Sequence, residues 1–245
     1  MIHYIYDGSF DGLLTAVYEA YYRKDNVYDI VPEDNIEENF LVQNIFIPTD
    51  GEKSSTVYKS IENKISREAL RRIFYVYLSE LPRHGIIILK YIQLGFKLGA
   101  QLDLNLSNDI VLMMNNIYAK VSRERHGMLG LLRFKELENG IFYGAIEPDY
   151  NIIGLIAPHF ESRMTNENWI IHDVKRGVGV FYNKEEWVIR NIKPTDSLVM
   201  KEEEEEYQEL WKEYFKSIAI ENKINPKLQK RNMPMRYWKY LVEKH

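Results

Sequence analysis

LLRFKELENGIFYGAIEPDYNIIGLIAPHFESRMTNENWIIHDVKRGVGVFY, residues Leu131–Tyr182, is the stretch that decides the fold. Leu131–Glu138 and Ile141–Glu147 are short apolar runs on either side of Asn139–Gly140, a dipeptide that favours a tight hairpin turn. Asp149 or Asn151 can start a helix whose apolar positions are Ile152, Ile153, Leu155, Ile156 and Phe160. Trp169–Asp173 and Gly177–Tyr182 then read as strands joined by a turn around Lys175–Arg176. The order β-β-α-β-β predicts an antiparallel sheet with a helix on one face, an α+β arrangement. Asn183–Ser197 reads as loop and short elements around Trp187.

Upstream, His3–Tyr6 is a β-prone run, and DGSFDG (Asp7–Gly12) is a turn. Ser9 or Asp11 can cap a helix that places Leu13, Leu14, Val17, Tyr18, Tyr21 and Tyr22 at helical spacing. Phe40–Ile47 reads as a strand ended by Pro48, which gives a β-α-β start. The turn lacks the Gly-Lys-Ser/Thr of a phosphate-binding loop, so its aspartates read as caps before metal ligands. A helical middle follows. Val57, Ile61, Ile65, Leu70, Ile73, Phe74 and Tyr77 form one amphipathic stripe closed by Pro82. A second helix covers Gly85–Gln101, and a third, capped by Ser107 or Asn108, covers Asp109–Arg125. Downstream, the run Glu202–Glu206 suits a helix start, with Tyr207, Leu210, Trp211, Tyr214, Phe215 and Ile218 following. Asn225–Pro226 breaks that helix, and Pro234 fits the first position of a last short one through Leu241. The expected division is 1–122, the β-α-β unit with its helical region, and 123–245, an α+β domain with a basic tail.

Among 245 residues, 45% are hydrophobic and 28% charged, as in ordinary globular chains, and no apolar run is long enough to span a bilayer. The N-terminus lacks the basic and apolar regions of a signal peptide, and a cytoplasmic location is expected. The absence of cysteine excludes disulfides, thiolate-held zinc and a catalytic thiol. A net charge of −4 argues against a uniform basic coat, but the charge is uneven. Residues 1–52 carry 11 acidic and 2 basic side chains, and residues 222–245 carry 7 Lys or Arg and one Glu. Such a basic end suits phosphates, although the two ends can also pair with each other.

Basic and aromatic residues interleave in the second half. Arg125, Arg133, Arg163, Trp169, Lys175 and Arg176, with Lys230, Arg231, Arg236, Tyr237 and Trp238 in the tail, form a candidate nucleic-acid-binding set. Guanidinium groups match phosphate oxygens bidentately, and aromatic faces stack on unpaired or flipped bases. The competing reading is that the tryptophans are core and the arginines pair with Glu124, Glu136, Glu161 and Glu167. His126, His159 and Asp173 are candidates for acid–base catalysis. His172 and Asp173 are adjacent on a strand and point to opposite faces, so they do not form a dyad. No ligand-spaced metal motif is present.

Five blocks carry a resemblance: YDGSFDGLLTAVYEAY (Tyr6–Tyr21), ERHGMLGLLRF (Glu124–Phe134), APHFESR (Ala157–Arg163), WIIHDVKRG (Trp169–Gly177) and NPKLQKRNMPMRYW (Asn225–Trp238). In content and order the chain resembles the bacterial family labelled "probable DNA metabolism protein", whose C-terminal portion is a domain of unknown function. Members usually carry Arg after the histidine of the second block, where this chain has Gly127. The resemblance implies a neighbouring gene for a radical-SAM protein of DNA modification or repair, and relatives in which a similar domain is fused to a uracil-DNA glycosylase-like domain. It implies no catalytic residues. Any iron–sulfur cluster would belong to the partner, so no cofactor is expected here. Three functions follow as expectations: a nucleic-acid-binding accessory in DNA repair or modification, a DNA-processing hydrolase (nuclease or glycosylase-like) using His126, His159 and Asp173, or a protein-interaction scaffold without DNA affinity.

Overall fold

A computed structural model describes residues 1–36, 41–192, 210 and 226–242. The fold is α+β, in two units, Met1–Ser122 and Arg123–His245. Among the described residues, no helix is long and apolar enough to cross a membrane.

In the first unit, β1 (Ile2–Tyr6) is followed by α1 (Phe10–Arg23), β2 (Val27–Pro32) and β3 (Gln43–Phe46). The strands form a parallel sheet in the order β2-β1-β3. Because β1 is central, the consecutive residues Tyr4, Ile5 and Tyr6 are all buried, as in parallel strands covered on both faces. Ser9 caps α1 through its hydroxyl, which accepts from the Gly12 amide at 2.9 Å. Asp7 accepts from the Ser9 amide at 3.0 Å, the Ser9 hydroxyl at 2.6 Å and Thr49 Oγ1 at 2.8 Å. Asp11 accepts from Ser54 Oγ at 2.7 Å. Both aspartates of the turn are therefore held in turn and inter-element hydrogen bonds. The strand expected at Phe40–Ile47 is β3, and Phe40 lies outside the described residues. β2 has no counterpart in the sequence reading. Asp29 interrupts its apolar run and Pro32 ends it on a sheet edge, the position where a strand tolerates proline.

The stripe from Val57 to Tyr77 forms two helices, α2 (Gly51–Lys64) and α3 (Arg67–Tyr77). The chain turns at Ile65, and Ser66 caps α3 by accepting from the Ala69 amide at 2.9 Å. α4 spans His84–Leu98 and α5 spans Asp109–Leu131, the latter capped by Asn108. A Cβ on Gly85 would lie 2.2 Å from the Ile30 carbonyl oxygen, so only glycine lets α4 approach β2 this closely. α5 runs past Arg125, where the sequence reading ends the helix, to Leu131. Val121, Glu124 and Met128 continue one buried face at helical spacing, which carries the helix to Leu131.

In the second unit, β4 (Lys135–Glu136), β5 (Phe142–Ile146), α6 (Ile153–Arg163), β6 (Trp169–Asp173), β7 (Val178–Tyr182) and β8 (Trp187–Asn191) build a five-stranded sheet in sequential order. β4–β5, β6–β7 and β7–β8 are antiparallel. β5 and β6 are parallel, with Phe142 opposite Trp169 and Ile146 opposite Asp173. The sheet is therefore mixed, not antiparallel. A parallel pair needs a crossover long enough to return the chain to the starting end, and α6 supplies it. Gly140, with φ of 73°, makes the expected hairpin turn. β8 falls where the sequence suggests loop. Its residues Val188–Asn191 are exposed, and an edge strand open to solvent carries little apolar periodicity. The tail forms α7 (Pro226–Asn232) and a 3-10 segment, Met235–Tyr240, with Pro234 just ahead of it. The glutamate run Glu202–Glu206 and, apart from Leu210, the helix expected after it lie outside the described residues.

One buried polar pair joins β1 to α4. His84 Nδ1 lies 2.8 Å from the Leu81 carbonyl oxygen, so Nδ1 carries the proton and donates, and Nε2 accepts from the Tyr6 hydroxyl at 3.1 Å. Burial holds the imidazole below its ordinary value of about 6.5. Burial depresses His172 in the same direction. A group depressed by folding contributes fully above its unfolded value and loses that contribution as pH falls through the folded one. Stability in urea is therefore expected to fall as pH drops below about 6.5. A His84→Gln variant, which cannot titrate there, should show a shallower fall. An unchanged slope in that variant would assign the effect elsewhere.

Candidate nucleic-acid interface

Of the residues singled out in the second half, Arg125 and His126 lie on α5, His159 and Arg163 on α6, Trp169 and Asp173 on β6, Lys175 and Arg176 in the turn after it, Lys230 and Arg231 on α7, and Arg236, Tyr237 and Trp238 in the C-terminal 3-10 segment, with Arg133 between α5 and β4. β5 and β6 are parallel and in register, so the β5–α6 loop and the β6–β7 turn leave from the same end of the sheet. In open α/β sheets that end is where ligands usually bind. Here the chain's own tail lies against it.

Glu124 is the centre of this arrangement. Its side chain is 4% exposed. One carboxylate oxygen accepts from the Asp149 amide at 2.9 Å and from Arg236 Nη2 at 3.0 Å, and also takes the hydroxyl proton of Tyr237 in a hydrogen bond. The other accepts from the Tyr150 amide at 2.9 Å. Arg236 also pairs with Asp149 Oδ2 at 2.8 Å and donates to the Tyr237 hydroxyl at 2.8 Å. Burial and the hydrogen bond to Glu124 push the Tyr237 hydroxyl well above its ordinary value, so it remains a donor. Further along, Lys239 and Tyr240 both engage Glu147. The amides of Asp149 and Tyr150 are satisfied by Glu124, and α6 begins after Ile152 with no side-chain cap. This departs from the expected Asp149 or Asn151 start.

Asp173 is fully buried. It accepts from the Arg176 amide at 3.2 Å and from Arg176 Nη1 at 2.9 Å. The same guanidinium donates to the Pro148 carbonyl at 3.2 Å and the Asp149 carbonyl at 2.9 Å. This ion pair clamps the turn after β6 to the β5–α6 loop. Asp173 is thus a structural anion rather than an accessible base, and Arg176 is its counter-ion rather than a phosphate ligand. His172 points the other way, as strand alternation requires, with Nδ1 2.7 Å from the Tyr143 hydroxyl. His126 is exposed on α5, and His159 is half-buried on α6 with its ring edge-on to Phe160. Among the described residues, no group of three or more His, Cys, Asp or Glu is placed to hold a metal ion.

The other basic and aromatic candidates divide in two. Trp169 is fully buried, stacked on Tyr182 at 5.0 Å, and so is core rather than a base-stacking surface. Tyr237 is buried, and Trp238 donates its ring N–H to the Met233 carbonyl at 2.9 Å. Arg125 donates to the Leu155 carbonyl at 3.1 Å, and Arg133 to the Gly130 carbonyl at 2.8 Å, closing the C-terminal end of α5. These side chains position elements. Arg163, Lys230 and Arg231 are exposed, and among the described residues none of the three pairs with a carboxylate. Lys175 is also exposed and reaches the Asp149 carbonyl at 3.3 Å.

The sequence reading gives no role to a cavity of about 540 Å³ in the first unit, lined by His3, Asp29, Arg83 and His84 among others. His3 stacks on Tyr28, and Arg83 lies over the same ring at 4.9 Å. These residues come from separate strands and the turn before α4, so no local spacing announces them.

Residues 82–243 match the family described as a domain of unknown function, DUF4130, and the chain belongs to that family. No curated protein matches the chain.

Replacing Glu124 with Ala leaves two amides, a guanidinium and a buried phenol without their acceptor. The expected loss is about 3–5 kcal/mol of stability, the range for removing one partner of a buried ion pair. Tyr237→Phe removes the hydrogen bond to Glu124 and the one accepted from Arg236, and should cost about 1–2 kcal/mol. Urea denaturation of the two variants checks the ratio. Equal losses would place the stabilisation in the phenol alone.

Proposed function

We propose that this protein is a nucleic-acid-binding accessory in DNA metabolism, acting in repair or modification beside a radical-SAM enzyme. The DNA context and the partner rest on the resemblance of the five blocks. The structural observation that supports binding is a set of exposed cations that pair with no carboxylate among the described residues. Lys227, Lys230 and Arg231 are exposed on α7, and Arg163 is exposed at the end of α6. Arg125, Arg133, Arg176 and Arg236 instead bond within the fold. This small number of exposed cations suits modest, salt-sensitive affinity, in which released counterions supply most of the driving force. The hydrolase reading loses its carboxylate, because Asp173 is buried in its pair with Arg176.

The full chain is expected to bind single-stranded DNA with a dissociation constant of about a micromolar or tighter at low salt. Log affinity should fall linearly with log salt, by about 0.7 per phosphate engaged. Charge reversal of Arg163, Lys230 and Arg231 together should weaken binding and flatten that slope without lowering stability. Fluorescence anisotropy across a salt series measures both. Absence of binding by the wild-type chain at the lowest salt sinks the reading, and co-purification with the radical-SAM protein but no DNA affinity would favour a scaffold.

A further inference from the structure

The C-terminal half of α1 carries YEAYYRK, Tyr18–Lys24. Helical spacing makes Tyr18, Tyr21 and Tyr22 look like core. The structure leaves Tyr21 54% and Tyr22 63% exposed. Tyr18 and Tyr22 lie face to face at 4.3 Å with a 33° tilt, as i,i+4 neighbours on a helix do. Tyr21 stands edge-on to Tyr22 at 5.5 Å and to Phe96 of α4 at 6.1 Å. The four rings border a groove of about 200 Å³ between α1, α2 and α4. Its floor is apolar, Val17, Val57 and Ile92, and its polar lining is neutral apart from one charge, the Lys64 ammonium. That ammonium lies 5.9 Å from the Phe96 ring centre.

Exposed large aromatics clustered on one helix are costly to leave in water and mark a binding surface. The charges decide what binds. Residues 1–52 carry 11 acidic side chains, but among the described residues none of them lines the groove, whose one charged lining residue is a cation. Glu19, the acid of this helical turn, is held by Arg23 at 2.6 Å and Lys53 at 2.7 Å, and Lys53 also lies 3.6 Å from Asp50, so the acids beside the groove are already paired. Lys64 is the charged side chain at the groove itself. The volume is below that of a pocket for a drug-sized metabolite. It suits a flat group inserted singly, with an anion outside. Aromatic rings with flanking cations are the arrangement that holds unpaired bases with no sequence code.

We infer that the Tyr18–Tyr21–Tyr22–Phe96 groove is a stacking site for an unpaired base of single-stranded nucleic acid, with Lys64 on the adjoining phosphate. This deepens the nucleic-acid-binding function proposed above and rests on it. It places base stacking on the first unit and leaves the cations of α6 and α7 as phosphate contacts on the second.

The test compares four full-length proteins on a fluorescent oligo-dT: wild type, Tyr21→Ala/Tyr22→Ala, Tyr21→Phe/Tyr22→Phe, and Arg163→Glu/Lys230→Glu/Arg231→Glu. Both tyrosines are exposed, so the Ala variant should keep the wild-type circular dichroism spectrum and urea midpoint. The expected result is about a five- to hundred-fold loss of affinity in the Ala variant, with the salt slope preserved, and near-wild-type affinity in the Phe variant, which keeps the rings. The charge-reversed protein should instead change its salt slope. If wild type binds oligo-dT and the Ala variant binds equally well, the groove assignment is overturned and the DNA-binding reading survives. If wild type does not bind at low salt, both fall. Binding of a proline-rich peptide that the Ala variant abolishes, with oligo-dT binding unaffected, would reassign the groove to a protein ligand and overturn the inference.

Discussion

A buried carboxylate needs its partners supplied by the protein, and Glu124 draws them from two places at once. It sits on α5, takes two backbone amides from the β5–α6 loop, and takes a guanidinium and a phenol from the C-terminal 3-10 segment. An unpaired charge at that depth would cost several kcal/mol. The loop and the tail are therefore tied to the helix end together. Arg236 extends the tie to Asp149, and Lys239 and Tyr240 extend it to Glu147.

That constraint changes the meaning of the arginines. A cluster of Arg and aromatic residues in sequence suggests a phosphate-and-base surface. In the fold, Arg236 serves Glu124 and Asp149, Arg176 serves Asp173, and Arg125 and Arg133 bond to carbonyls. The sheet end that would offer an open crevice is closed by these contacts. Arg163 at the end of α6 and Lys227, Lys230 and Arg231 on α7 are exposed and, among the described residues, pair with no carboxylate. The aromatic surface lies in the first unit, on a helix whose tyrosines outnumber the positions the core can cover.

The two halves of the chain also use their parallel strands differently. In the first, β1 is central and its strand-to-helix turn is closed by hydrogen bonds among Asp7, Ser9 and Thr49. Burial alone would raise the Asp7 carboxyl, but those bonds hold it below the ordinary carboxylate range. In the second, one parallel pair is embedded in an otherwise antiparallel sheet, and the crossover helix α6 is what makes that pairing possible.

Elements with strong local signals were legible from sequence: the Asn139–Gly140 hairpin, the caps of α1 and α5 to within two candidates each, α4, and the strand alternation that separates His172 from Asp173. Register and direction were not. A β-β-α-β-β order is compatible with either sense of the β5–β6 pair, because periodicity reports which face is buried and not which way the neighbour runs. The extent of α5 past Arg125 depended on a buried face that includes Glu124, a charged residue whose burial makes sense only with its distant partners present. The same holds for the candidate site. Local sequence determined the types and spacing of the side chains, including the competing possibility that the arginines pair with acids. Only the tertiary structure decided which arginines meet carboxylates 3 to 112 residues away and which tyrosines are left in water. Ion pairing and burial are properties of distances between segments, and a linear pattern does not contain those distances.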